Sequence, residues 1–239
     1  MPFATWALSF AFPVVFGLSS FSPLPKKSIF TPMSKNLFIA LEGIDGSGKS
    51  TQVKLLAEKL EKAGHKVYLT CEPTDGPVGV MIRSIFKHTM EADHRTIAAL
   101  FAADRLEHIL NKANGLLKKL EEGCTVISDR YYFSSYAYHS VHMPMDWVIE
   151  TNRLSAELLR PDLNVYIDIS ADTGMKRIAI GRDSVELYES LENLQNVKAK
   201  YEEAMQRLKQ DEKIAIINGE RPPDVIAENV WKAVSELLT

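Results

Sequence analysis

Apolar residues fall along this chain in two kinds of run. Five runs are short and nearly unbroken: 37–41 (LFIAL), 67–70 (VYLT), 125–128 (TVIS), 163–169 (LNVYIDI) and 213–217 (KIAII). Continuous rather than alternating apolar runs predict strands covered on both faces, as in a parallel sheet. Between them the apolar positions recur at helical spacing. In 51–63, Val53, Leu56, Ala57 and Leu60 share one face, Gly64 gives a stop, and Lys59 and Lys62 suit the negative end of the helix. Similar patterns predict helices over 96–110, 145–159, 185–208 and 224–238, the second of these four stopping before Pro161. Strand and helix alternate, which predicts an α/β fold: a doubly wound five-stranded parallel sheet with right-handed crossovers and flanking helices.

Residues 1–32 do not share this pattern. An apolar and aromatic stretch over 3–18 is broken by Pro13 and Gly17, and a Ser/Pro/Lys segment follows. No Lys or Arg precedes the apolar stretch and no clear small-x-small site follows it, so it makes a poor signal peptide. It is also short and proline-interrupted for a membrane span. It lacks acidic residues and is Ser-rich, which leaves organelle targeting as the alternative, although it holds no Arg. Met33 immediately precedes the first strand. The domain is therefore expected to run over 33–239, with 1–32 an extension that is disordered or not part of the mature protein. A cytoplasmic location without stable membrane association is the corresponding expectation.

Composition narrows the classes. With 239 residues and 46% hydrophobic positions, the chain can bury one good core and would be cramped as two domains. Net charge is −3, from 28 basic and 31 acidic residues, so no basic excess points to a nucleic-acid partner. Any basic patch must be local, which suits a small anionic ligand. Cys71 and Cys124 lie far apart, each bordering a strand run, and are expected as small residues of a reduced core rather than a disulfide or metal pair.

Directly after the first strand the chain reads Gly43-Ile44-Asp45-Gly46-Ser47-Gly48-Lys49-Ser50, followed by Thr51. This fits G-x-x-x-x-G-K-[ST] at every fixed position, with a strand before it and a helix after it. Glycines let the backbone turn its N–H groups inward, and the helix start offers further donors and the positive end of a dipole to a phosphate. Lys49 supplies a charge to the β- and γ-phosphates and the Ser50 hydroxyl can ligate Mg²⁺. After the third strand comes Ser128-Asp129-Arg130-Tyr131. A carboxylate at the carboxyl end of a strand sits where open α/β sheets bind ligands, so Asp129 is a second Mg²⁺ candidate. Arg130 beside it can grip a phosphate with its planar fork.

Several stretches together resemble the thymidylate kinase family: 38–52 (FIALEGIDGSGKSTQ), Glu72-Pro73, 100–105 (LFAADR), 129–131 (DRY), 134–138 (SSYAY) and 161–163 (PDL). The resemblance runs in order over about 33–239. It implies a P-loop nucleoside-monophosphate kinase with a mobile lid, moving the γ-phosphoryl of ATP onto dTMP with Mg²⁺, and a homodimer. It implies that residues 43–51 bind ATP and that Asp45 helps organise Mg²⁺ and the acceptor's sugar. Phe101 would stack on thymine. Arg105 would face the base or its phosphate. Arg83 and Arg130 would hold the dTMP phosphate, and Ser135 and Tyr138 would contact its base and sugar side. Glu72 belongs to the same acceptor site. Some members carry an Arg inside the P-loop; Gly46 stands at that position. Transition-state charge must then come from elsewhere, and Arg177 and Arg182 fall where a short lid is expected, with Glu186 and Glu189 following. The catalytic set is thus Lys49, Asp45, Arg130, Arg177 and Arg182.

Two positions depart from the family pattern. Cys71 stands where Arg usually precedes Glu-Pro, and His139, expected as a partly exposed loop residue, stands where Gln is common. Both leave acceptor preference open. Another nucleoside-monophosphate kinase on the same fold is one alternative, because acceptor exchange needs few side chains. A nucleotide-dependent binding module is another. A switch-type GTPase is disfavoured, since 111–114 (NKAN) lacks the final Asp of a guanine signature.

Overall fold

A computed structural model describes residues 36–181, 188 and 190–238. The expectations for residues 1–32 and for Arg182, Glu186 and Glu189 fall outside these residues.

Five strands form one parallel sheet: β1 (Phe38–Glu42), β2 (Lys66–Cys71), β3 (Cys124–Asp129), β4 (Leu163–Asp168) and β5 (Ile214–Asn218). Their order is β2-β3-β1-β4-β5, and every pairing is parallel. The three inner strands bury both faces, which is why their sequences read as unbroken apolar runs. On one face α1 (Lys49–Lys62) and the last helix, α9 (Pro223–Ser235), enclose Leu41, Leu56, Ile127, Val165 and Val230. The other face is covered by a larger aromatic core holding Phe38, Tyr131, Tyr136, Tyr166 and Tyr201.

The remaining helices are α2 (Pro77–Phe86), α3 (His94–Leu110), α4 (Leu116–Glu121), α5 (Tyr132–His139), α6 (Met145–Leu158), α7 (Ala171–Gly181) and α8 (Leu191–Leu208). Four of these, α2, α4, α5 and α7, have no counterpart in the apolar periodicity. In α5 every residue is buried, so no polar face marks its period. In α7 the interior Gly174 weakens the helical signal. The helix expected over 185–208 is described from Leu191, and Ser190 caps it by accepting from the Asn193 N–H.

Register places the chemistry. Leu41 pairs with Asp129 and with Val165, so β1 ends between β3 and β4. Cys71 pairs with Asp129 from the other side. The segments leaving β1, β2 and β3 therefore open onto one cleft at the carboxyl edge of the sheet, where the strand order reverses about β1.

Candidate active site

The loop between β1 and α1 turns through Gly46 (φ 78°) and Gly48 (φ 91°), conformations that side chains with a Cβ rarely adopt. Lys49 is buried at the start of α1, and its ammonium donates to the carbonyls of Gly43 (3.0 Å) and Ile44 (3.1 Å). Burial, with the Arg130 charge adding to it, pulls its pKa down to about 8. The Ser50 hydroxyl donates to Asp129 Oδ2 at 2.6 Å, so the two Mg²⁺ candidates meet although 79 residues separate them.

Opposite the loop, Arg130 adopts φ 75°, in the left-handed region that a non-glycine residue seldom enters. Local contacts hold it there. Its backbone N–H donates to Leu41 O, and its guanidinium donates to Asp45, to Ser134 Oγ (3.0 Å) and to Gly43 O (3.3 Å). Tyr138 closes the cluster: its hydroxyl donates to Asp45 Oδ2 at 2.8 Å, and its ring lies 5.0 Å from the Arg130 guanidinium carbon. Burial pushes the Tyr138 phenol well above its usual range, so it stays a donor.

Two cavities flank this cluster. One, of about 400 Å³, is lined by Asp45, Arg83, Phe101, Arg130, Ser135 and Tyr138 among others. The other, of about 660 Å³, is lined by Gly46, Lys49, Ser50, Thr51, Asp129 and Arg177 among others. Asp45, Cys71, Glu72 and Arg130 line both, so the cavities meet there. Gly46, Gly48, Lys49, Ser50 and Thr51 line the second cavity and Asp45 lines both, whereas Gly43, Ile44 and the buried Ser47 line neither.

Three positions differ from expectation. Arg105 does not line either cavity. It is buried behind the wall of the first cavity, and four of its N–H···O bonds go to Glu72 (two), Ser135 and Asn152. Through these bonds it ties Glu72, Ser135 and Asn152 together behind the wall. His139 is not a loop residue but the last residue of α5, 2% exposed and tilted against Phe101 with ring centroids 5.1 Å apart. Burial, with Arg105 nearby, pulls its imidazole down to about 3, so it is neutral. Cys124 is buried as expected, but Cys71 is exposed, because β2 is an edge strand and its last residue ends at the cleft. Arg83 reaches the cavity rim, bonded to Pro73 O (2.9 Å) and paired with Asp75 at 3.1 Å.

Other residues position the site without having been singled out. Glu42, at the end of β1, is 1% exposed and accepts from the Tyr131 N–H and from the hydroxyls of Ser134 and Tyr201. Burial raises its carboxyl, and those donors oppose the rise. Asp104 accepts from both the N–H and the hydroxyl of Thr74, fixing the turn after the cis Glu72–Pro73 peptide. A buried acid at the end of an apolar strand was the only local sign of Glu42. Asn152 and Tyr201 gave none, since each reaches the site from a helix far along the chain.

Among the described residues no cluster of three His, Cys, Asp or Glu could hold a metal. Mg²⁺ does not need one, because it keeps several waters and is bound through one or two protein groups with substrate phosphates.

A family model described as thymidylate kinase matches residues 41–230. The chain is 41% identical over 167 residues to a "Probable thymidylate kinase" of Methanococcus aeolicus, covering 70% of this chain and 78% of that protein. It is 40% identical over 173 residues to a "Probable thymidylate kinase" of Pyrococcus horikoshii, covering 70% and 82%. It is 33% identical over 205 residues to a "Thymidylate kinase" of Thermomicrobium roseum, covering 84% and 95%.

Proposed function

The chain belongs to the thymidylate kinase family and phosphorylates dTMP, and from that premise we propose that ATP·Mg²⁺ is the donor and that the two cavities divide the substrates. ATP takes the side of the Lys49 loop, and dTMP takes the side of Phe101 and Tyr138. The observation that carries this division is the meeting of the cavities at Asp45 and Arg130. An acceptor phosphate held by Arg130, with Arg83 at the rim, then faces the donor's γ-phosphate. Phe101 stacks on the pyrimidine, Ser135 contacts the base side, Glu72 frames the cavity, and Tyr138 crowds the sugar's 2′ position.

A phosphate oxygen of dTMP attacks the γ-phosphorus. That O–P bond forms as the bond to the β-phosphate bridging oxygen breaks, and ADP departs. The attacking oxygen is already charged, so no general base is needed. Lys49 leaves its loop carbonyls for the donor phosphates, while Arg130, Arg177 and Arg182 counter the charge carried by the moving phosphoryl group. Ser50 and Asp129 are chemically suited to hold Mg²⁺, which would neutralise phosphate charge there. Lid closure would keep water from competing as acceptor.

The test is a coupled ADP-release assay with ATP, Mg²⁺ and dTMP, dUMP, UMP, CMP, AMP or GMP. The expected result is transfer to dTMP well above the others, with 33–239 alone as active as the whole chain. Preference for a different monophosphate would move the acceptor assignment and point to Cys71 and His139.

The protein acts as a homodimer in the cytoplasm on this reading. Trp147, Leu154 and Leu158, spaced by seven and four residues, leave an exposed apolar stripe along α6, the kind of face that marks a contact surface. Leu154→Glu with Leu158→Glu should turn a dimer into a monomer by light scattering, and a wild-type monomer at micromolar concentration would exclude the arrangement. Among the described residues no helix is long and apolar enough to cross a membrane.

A further inference from the structure

The helix that carries Arg177 rests directly on the phosphate loop, and a pair of glycines makes this approach possible. A Cβ built on Gly174 of α7 would stand 2.7 Å from the Asp45 carbonyl oxygen, with Ile44 and Ile169 closing the sides at 3.4 Å. In the reverse direction, a Cβ on Gly46 would stand 2.8 Å from Gly174 Cα and closer still to its carbonyl oxygen. Both obstacles are backbone, which cannot swing aside as a side chain can. Arg177 lies three residues after Gly174 and hence on the same helix face. Its guanidinium bridges two loops, donating to Gly219 O at 3.0 Å and to Gly46 O at 3.4 Å. Arg177 and Ile178 then line the donor cavity.

We propose that Gly174 is a positioning residue for the donor side: its missing side chain seats α7 on the Asp45–Gly46 backbone, and that seat fixes the place of Arg177 against the nucleotide. This inference rests on the reading of the 660 Å³ cavity as the ATP side. Two consequences follow from the geometry. The first turns of α7 and the phosphate loop therefore behave as one body. The contact also bars any side chain at Gly46, including an arginine, and Arg177 offers a cation to the same cavity. An interior glycine is otherwise unfavourable in a helix, so a close backbone approach supplies the reason for it.

The experiment compares Gly174→Ala, Arg177→Ala and the double variant in the full chain, by steady-state kinetics with ATP and dTMP and by thermal melting. Gly174→Ala should raise KM for ATP or lower kcat, together on the order of 10-fold or more in kcat/KM for ATP, the size expected when a phosphate-binding cation is misplaced. KM for dTMP should stay within about 2-fold. In the Arg177→Ala background the added methyl should change kcat/KM by less than about 2-fold, because the two residues act through one contact. A merely structural glycine would instead multiply the two losses and disturb both substrates alike. Arg177→Lys tests the same seat without touching the glycine: a lysine has one nitrogen where Arg177 uses the two ends of a planar fork, Nη1 on Gly46 O and Nη2 on Gly219 O, so it should show the ATP-side loss as well. Wild-type kinetics in Gly174→Ala, multiplicative losses, or full activity in Arg177→Lys would each overturn the proposal. Failure of the wild-type chain to use ATP would instead overturn the donor-side reading.

Discussion

Lys49→Ala should lower kcat/KM for phosphoryl transfer by roughly 100- to 1,000-fold, the loss seen when one preorganised donor to developing charge is removed. The residue has no backup in the loop. Asp45, Gly46, Ser47 and Ser50 surround it with neutral or negative groups. Arg130 stands where the two cavities meet and is bonded to Asp45, and Arg177 is tied to the Gly46 and Gly219 carbonyls. The fold itself should scarcely notice the change, because burial already works against the charge. A melting temperature within a few degrees of wild type, beside the activity loss, would separate the two effects. The depressed pKa adds a pH signature. In the free protein Lys49 is largely protonated at pH 7 and loses its proton as pH rises through about 8, so KM for ATP should climb across that range and the dependence should vanish in the alanine variant. Activity of Lys49→Ala within about 5-fold of wild type would sink the assignment, since no electrostatic role of this kind is worth so little.

Arg105→Ala should be the most destabilising single change in the acceptor wall. It strips Glu72 of its two charge-assisted bonds, at 2.6 and 2.9 Å, while leaving that carboxylate 4% exposed beside His108. An uncompensated buried charge costs about 3–5 kcal/mol. At roughly 2–4 °C per kcal/mol for a chain of this size, melting should fall by on the order of 10 °C. The exposed pair of Arg153 with Glu157 offers the control, since solvent screens it and its loss should barely shift the transition. Activity should fall too, because Ser135 and Asn152 lose the donor that binds them to α3. Adding Glu72→Gln to Arg105→Ala should recover part of the stability by removing the orphaned charge. If the double variant melts no higher than Arg105→Ala alone, the loss reflects packing of the guanidinium stem, not the ion pair.

The acceptor wall also shows where sequence reasoning met its limit. Arg105 looked like a substrate contact because its motif and its charge were visible, whereas its partners were not. Glu72 stands 33 residues before it and Asn152 stands 47 residues after it. His139 looked like an exposed loop residue because α5 has no polar face from which a helix could be read. Cys71 looked like a core residue because an apolar strand precedes it, and only the strand order makes β2 an edge.

The five strands, the phosphate loop with its lysine and serine, and the Asp129-Arg130 pair could be read from the chain, because each is encoded by neighbours: apolar period, glycine spacing, strand before helix. Tertiary structure alone decided which charges face the cavities and which lie behind them, how Glu42 and Tyr201 brace Arg130's neighbour Ser134, and how α7 meets the loop at Gly46. Those outcomes depend on burial and on hydrogen bonds between residues tens of positions apart, and no local pattern records them.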